Sequence, residues 1–181
     1  EVSDIKFNLS VGHSIVFNKQ NLRSEEYKIK IKKDSILIEY SDYGGKFYSI
    51  ITLIQLINFY NTNLPLGLIE DRPALNWRGM HLDCARQFYT IDEIKRLMDY
   101  MCFFKLNRFH WHLTDNEAWR VELECYPNLT KVGAFRGYNH SIPPFYGTGY
   151  NKTGGYYSRS QINELTEYAR KRNIEIMPEI D

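Results

Sequence analysis

From residue 76 onward the apolar pattern switches between a period of two and a period of 3.6. That rhythm restricts the fold more than any other feature of the chain. Asn76 to Leu82 reads as a strand. Thr90-Ile-Asp-Glu93 is a capping box, in which Thr90 and Glu93 satisfy orphan amides at a helix start. Ile94, Leu97, Met98, Met101 and Phe104 then fall on one helix face. Leu106 to Leu113 reads as a second strand, dense in aromatic and apolar residues. Ser158-Arg-Ser-Gln161 opens a second helix with Ile162, Leu165 and Ala169 as its buried stripe. Arg170-Lys171-Arg172 complements its negative end, and Asn173 suits the left-handed residue after it. Ile174 to Met177 is the third strand, followed by Pro178-Glu-Ile-Asp181. Strands alternating with helices imply parallel pairing and an α/β class.

Two parallel architectures fit short βα and αβ repeats: a doubly wound sheet and a (β/α)8 TIM barrel. A dinucleotide-binding sheet should carry a Gly-rich turn after its first strand. Here that turn is Asp83-Cys-Ala-Arg86. Each strand instead ends in polar chemistry: Asp83 and Arg86, then His112 and Asp115, then Glu179 and Asp181. Barrel active sites form where strand C-termini converge, so the expectation is a barrel. A complete barrel takes about 250 residues, so residues 71 to 181 are expected to form the first part of one.

Residues 1 to 70 are expected to be the end of a small α+β domain. Ser14 to Phe17 suits a short strand. Tyr27 to Ile31 and Ile36 to Tyr40 alternate as a hairpin turning at Lys33-Asp34-Ser35. Gly44-Gly45 is expected to break the chain. Phe47, Ile50, Ile51, Ile54, Ile57 and Tyr60 then recur at helical spacing over residues 46 to 60. Asp71-Arg72-Pro73 ends the unit. Glu117 to Thr130 and the Gly-, Pro- and Tyr-rich stretch from Arg136 to Tyr156 carry no clear period.

Bulk properties exclude several partners. A formal net charge of +1 provides no field to attract nucleic acid. No apolar run approaches the roughly 20 residues of a membrane span. Cys84, Cys102 and Cys125 are widely spaced without a CxxC, so free thiols are expected rather than a thiolate zinc site; one disulfide plus a free thiol stays open. Aromatics at 15% fit core packing first and sugar stacking second. Asn-x-Ser/Thr triplets at Asn8, Asn128, Asn139 and Asn151 are compatible with a secretory route.

On the second strand, alternation puts Arg108, His110 and His112 on one face and Phe109, Trp111 and Leu113 on the other. His110, His112, Asp115 and Arg120 are expected around one strand end. A metal-dependent hydrolase with His110, His112 and Asp115 as ligands is one reading, since His-x-His can place two imidazoles on one ion. A non-catalytic sugar-binding module is another.

Arg78-Gly-Met-His-Leu-Asp-Cys-Ala-Arg86, Lys105-Leu-Asn-Arg-Phe-His-Trp-His-Leu-Thr-Asp115, Trp119-Arg120, Tyr126-Pro-Asn-Leu-Thr130 and Pro178-Glu-Ile-Asp181 together resemble the β-N-acetylhexosaminidases, family 20 of the glycoside hydrolases. Gly45-Lys-Phe-Tyr48 and Leu53-Ile-Gln-Leu56 resemble the small domain that precedes their barrel. The resemblance implies removal of terminal β-linked N-acetylhexosamine from a glycan or glycoconjugate, with retention and no cofactor. The substrate's own 2-acetamido oxygen acts as nucleophile, an exception to the two-carboxylate scheme. It implies substrate binding by Arg86 and Asp181, and a role for Asp115 in tuning, through a histidine, an acid Glu. That Glu and its neighbouring Asp belong to an Asp-Glu pair near a fourth strand. Asp92-Glu93 is the only Asp-Glu dipeptide here and lies in a capping box. The relay histidine expected just after Pro178-Glu-Ile-Asp181 is also missing, and Asn116 stands where a second acid is common. The chain is therefore expected to be inactive alone and to need the remainder of the barrel. A homodimer of the parent stays open, and a lysosomal, secreted or periplasmic site is usual for that family.

Overall fold

The computed structural model describes residues 6–8, 14–61, 63–144 and 150–181. Two compact units divide the chain, Glu1–Asn76 and Trp77–Asp181.

The first unit runs β1 (Lys6–Asn8), β2 (Ser14–Lys19), β3 (Tyr27–Ile31), β4 (Ser35–Tyr40), α1 (Tyr43–Tyr60), β5 (Asn63–Pro65) and β6 (Gly67–Asp71). A four-stranded sheet has the order β2-β4-β3-β6, and β1 pairs β5 separately. The β3–β4 hairpin sets Ile29 opposite Ile38 and Ile31 opposite Ile36. These four and Tyr27 are buried with Tyr48 and Leu53 of α1. Strand alternation thus supplies one face and the helix stripe covers it. The strand β6 is new relative to the sequence pattern: Gly67–Asp71 pairs antiparallel with β3, Ile69 opposite Ile29.

Gly44 and Gly45 do not break the chain. They lie in the first turn of α1 and are buried, with Asp42 as N-cap accepting from Gly45 N–H at 2.8 Å. The reason is tertiary. A Cβ on Gly45 would stand 2.6 Å from the Glu26 carbonyl oxygen, so only glycine lets the Glu25–Glu26 backbone press on the helix start.

The second unit runs β7 (Gly79–Asp83), α2 (Ile91–Phe103), β8 (Arg108–Asp115), β9 (Ala118–Trp119), α3 (Asn128–Lys131), β10 (Phe135–Arg136), β11 (Thr153–Gly154), α4 (Arg159–Arg170) and β12 (Glu175–Ile180). Its main sheet has the order β12-β8-β7 with both pairings parallel, as the alternation demands. Both capping boxes form, and Asn173 takes the left-handed conformation at φ 57°. Phe109, Trp111 and Leu113 face a core with Ile94, Met98 and Met101 of α2 and Leu165 and Ala169 of α4.

Boundaries moved where tertiary contacts compete with local pattern. β7 starts at Gly79 because the Arg78 N–H donates to the Asn107 side chain at 3.0 Å, outside the ladder, and its carbonyl is shared between Asn107 and Arg108 N–H. Phe104 leaves the helix stripe and is 68% exposed, since α2 ends before it and Lys105 turns left-handed at φ 59°. β12 runs on through Pro178, opposite Trp111. It stands at the end of the strand order, where a residue without an N–H is tolerated. The stretch read as irregular holds β9 and the single turn α3. The Gly-rich stretch is clasped where β10 pairs β11, and its residues 145–149 lie outside the described residues.

Candidate functional site

The register of the parallel sheet builds the site in rows. Asp83, His112 and Glu179 stand side by side on β7, β8 and β12. One step below, His81 and His110 pair in the same way. Period-two alternation turns all of them away from the helical layer. Just beyond the strand tips lie Arg86, in the turn after β7, Asp115 at the end of β8, and Asp181 directly after β12.

His112 is the hub. Its Nδ1 lies 2.5 Å from Glu179 Oε2 and its Nε2 lies 3.1 Å from Asp115 Oδ2. Both nitrogens face carboxylate oxygens, which favours the doubly protonated ring, while Nε2 also lies 3.3 Å from Arg86 Nη1. Burial pushes its pKa down, but the hydrogen bond and charge of Glu179, with Asp83 and Asp115, win, and it stands above the ordinary histidine value. Glu179 is correspondingly lowered by the His112 hydrogen bond. Asp115 is lowered chiefly by the Asn116 N–H at 2.6 Å, with Arg86 and His112 adding to it.

Arg86 ties the tips together. Its Nη1 lies 2.5 Å from Asp115 Oδ2 and 3.2 Å from Asp83 Oδ2, and its Nε lies 3.1 Å from Glu117 Oε2. Partial burial works against its charge, but Asp83, Glu117 and Asp115 raise its pKa. The Nη2 amino group carries no hydrogen bond among the described residues, and the side chain is 38% exposed. Two N–H donors are thus presented in a fixed plane at the sheet's carboxyl end. Asp181 is held beside the β8 tip: its N–H donates to Thr114 Oγ1 at 3.0 Å, and that hydroxyl lies 3.2 Å from its carbonyl oxygen. Arg86, Asp115 and Asp181 therefore occupy one end of one sheet.

The sequence reading missed the support beneath this cluster. Arg120, grouped by sequence with the polar strand end, is instead 1% exposed and points under the turn after β7. Its Nε donates to Cys84 O (2.8 Å), Nη2 to Ala85 O (3.1 Å), and Nη1 to Ala134 O (2.5 Å) and Gly155 O (2.9 Å). Burial, then the neighbouring Arg136, lowers its pKa to about 10. Arg136 donates to the carbonyls of Ala85 and Arg86. Two buried guanidiniums thus fix the backbone that carries Arg86. Nothing in the local sequence at Arg120 or Arg136 announces this, because the partners are carbonyls far along the chain.

The metal-ligand set expected from His-x-His is not assembled. His110 Nε2 lies 2.7 Å from Glu179 Oε2, on the Nδ1 side of His112, whereas Asp115 addresses the Nε2 side. One ion cannot take all three through the same His112 nitrogen. All three cysteines are free, with Cys84 buried and Cys125 exposed. Trp111 is a core residue whose Nε1 donates to Cys84 Sγ at 3.2 Å.

Comparison with known proteins follows the same division of the chain. The family model described as "Glycosyl hydrolase family 20, catalytic domain" matches residues 75–181, and "Glycosyl hydrolase family 20, domain 2" matches residues 2–72. The chain belongs to glycosyl hydrolase family 20. A beta-hexosaminidase of Vibrio furnissii is 40% identical over 157 residues, covering 86% of this chain and 26% of that protein. An N,N'-diacetylchitobiase of Vibrio harveyi is 36% identical over 189 residues, 98% of this chain and 21% of that protein. Among solved structures, a GH20 exo-β-N-acetylglucosaminidase from Vibrio harveyi in complex with N-acetylglucosamine superposes with a TM-score of 0.87. It is 40% identical over 92% of this chain and 27% of its own. This family 20 chain therefore spans well under half the length of each of these relatives. Among its described residues no helix is long and apolar enough to cross a membrane.

Proposed function

We propose that residues 71–181 are the first part of a (β/α)8 barrel, preceded over residues 1–70 by the end of a small α+β domain, in a retaining β-N-acetylhexosaminidase. The observation that carries the reading is the contact between Arg86 and Asp115 at the carboxyl end of the parallel sheet, with Asp181 beside them. That end is where barrel enzymes bind substrate. The polar inner face supports continuation of the barrel: His81 and His110 keep side-chain exposures of 51% and 45%. So does an apolar groove of about 480 Å³ beside β12, lined by Trp111, Ile162, Ile176 and Pro178, where a further element would pack.

In this reading Arg86 offers its Nη2 hydrogens to hydroxyls of a terminal N-acetylhexosamine. The Asp83, Asp115 and Glu117 carboxylates keep the fork from rotating, so the sugar meets a pre-organised donor pair. Asp115 holds the negative charge that, by the family resemblance, tunes an acid Glu through a histidine. Asp181 lines the rim of the same mouth. The 2-acetamido oxygen of the substrate supplies the nucleophile. The Asp-Glu pair of the family has no counterpart among these 181 residues, so the chain alone performs no hydrolysis.

The test uses an aryl N-acetyl-β-glucosaminide. The 181-residue chain should give no turnover. In a longer polypeptide that carries this chain with the rest of the barrel, Arg86→Ala should lower kcat/KM roughly a hundredfold, about 2.7 kcal/mol, as expected for lost hydrogen bonds to a charged donor. Turnover by the chain alone, or an Arg86→Ala enzyme at full activity, would overturn the reading.

A further inference from the structure

Below the Asp115–Arg86 contact, imidazole nitrogens from two strands crowd around a single carboxylate oxygen on a third. Glu179 Oε2 lies 2.5 Å from His112 Nδ1, 2.7 Å from His110 Nε2 and 3.9 Å from His81 Nε2. Donor atoms of His81, His112 and Glu179 all lie within 4.8 Å of one another. From this convergence we propose that His81, His112 and Glu179 form a site for a divalent transition-metal ion, with zinc the best match and a water completing the tetrahedron. This site shares His112 and its partner Asp115 with the cluster read above as the sugar site, but the proposal does not depend on that reading.

Three arguments support it. The first is ligand chemistry: imidazole and carboxylate together suit a borderline ion such as zinc. The second is size. Tetrahedral zinc with bonds of about 2.0 Å keeps its donor atoms about 3.3 Å apart. The distances from Glu179 Oε2 to His112 Nδ1 and His81 Nε2, 2.5 and 3.9 Å, each differ from that value by under about 1 Å, and all three donors lie within 4.8 Å of one another, within reach of small side-chain rotations. His81 and His110, packed edge to face at 4.7 Å between ring centroids, keep side-chain exposures of 51% and 45%, which leaves room for such rotations.

The third argument is the outer partner. A metal-ligating histidine ordinarily donates its second ring N–H to a carboxylate, which fixes tautomer and orientation. His112 Nε2 already has Asp115 at 3.1 Å, and Asp115 is itself anchored by Arg86. On binding, the ion replaces the Nδ1 proton of His112, which leaves to solvent, and the Nε2–H stays on Asp115. No redox change or further reactant is involved. The arrangement differs from the His110–His112–Asp115 set in that every ligand lies on the Nδ1 side of His112.

Cobalt(II) titration of the 181-residue chain, followed by zinc competition, tests the site. The expected result is one equivalent bound at micromolar affinity, with the intense visible absorption of tetrahedral cobalt bleached by zinc. His81→Ala and Glu179→Gln should each weaken binding by at least about tenfold. His81 is half exposed, so its loss leaves the fold intact, and far-ultraviolet circular dichroism checks this for both variants. His140→Ala and Cys125→Ser remove exposed ligands outside the cluster and should change nothing. Absence of micromolar binding, octahedral cobalt spectra, or binding that survives both His81→Ala and Glu179→Gln would overturn the proposal.

Discussion

At the residue scale, the buried guanidinium of Arg120 has the largest structural consequences. Among the described residues it makes no salt bridge and is balanced by four carbonyl oxygens from three segments. Replacing it by Met keeps the volume but leaves Cys84, Ala85, Ala134 and Gly155 carbonyls without that donor. Each unmet buried acceptor costs about 1–3 kcal/mol, so Arg120→Met should destabilise the second unit by roughly 3 kcal/mol or more. All three tryptophans, Trp77, Trp111 and Trp119, fall in that unit, so urea unfolding followed by their fluorescence isolates the effect. An unchanged midpoint would show that water replaces the guanidinium at no cost. Asp42 should contribute to the acid sensitivity of the first unit. Burial works to raise its carboxyl, but the Gly45 and Glu25 N–H groups and the Ser24 hydroxyl outweigh it and hold it below the usual range. A depressed folded pKa contributes stability that is present above the unfolded value, about 3.9. That stability is lost as pH falls further through the folded value. Asp42→Asn keeps a side-chain cap and should flatten the pH dependence of this unit below about pH 4, read by hydrogen exchange of α1 amides.

At the element scale, the helix starts were legible because capping is local. Thr90–Glu93 and Ser158–Gln161 lie three residues apart in sequence and bond as that spacing implies. The start of α1 was not legible, because Gly44-Gly45 carries the same letters whether it breaks a chain or admits a neighbouring backbone. Gly45→Ala distinguishes these: helix propensity alone favours Ala by about 1 kcal/mol, whereas the 2.6 Å approach of Glu26 O predicts a net loss. A lowered thermal midpoint in circular dichroism is the expected result, and a raised one would show that the loop moves aside. Strand ends shifted for a related reason. Local pattern ends a strand where alternation ends, but Pro178 shows the ladder continuing as long as β8 offers a partner.

At the scale of the whole molecule, the main parallel sheet ends on both sides without a further strand among the described residues. Unpaired parallel edges beside an apolar groove favour association with other chains. The isolated chain should therefore self-associate as concentration rises, seen as a concentration-dependent sedimentation coefficient. A monodisperse monomer at high concentration would show that these edges are protected.

What the sequence determined by itself was everything written in short range or in period. The strand–helix alternation, the two capping boxes, the faces of β8 and the polar residues at each strand end follow from neighbours within a few residues. The resemblance of the KLNRFHWHLTD stretch and its companion motifs to one family singled out Arg86, Asp115 and Asp181 among them. Tertiary structure decided which polar groups meet. It turned Arg120 away from the polar end and under the loop, and moved His110 from Asp115 to Glu179. It also placed Glu117 on Arg86 and brought His81 into the histidine cluster. The physical reason is register. A strand's alternation fixes which face a side chain takes, but only pairing with the next strand fixes its height, and a contact of 3 Å depends on both.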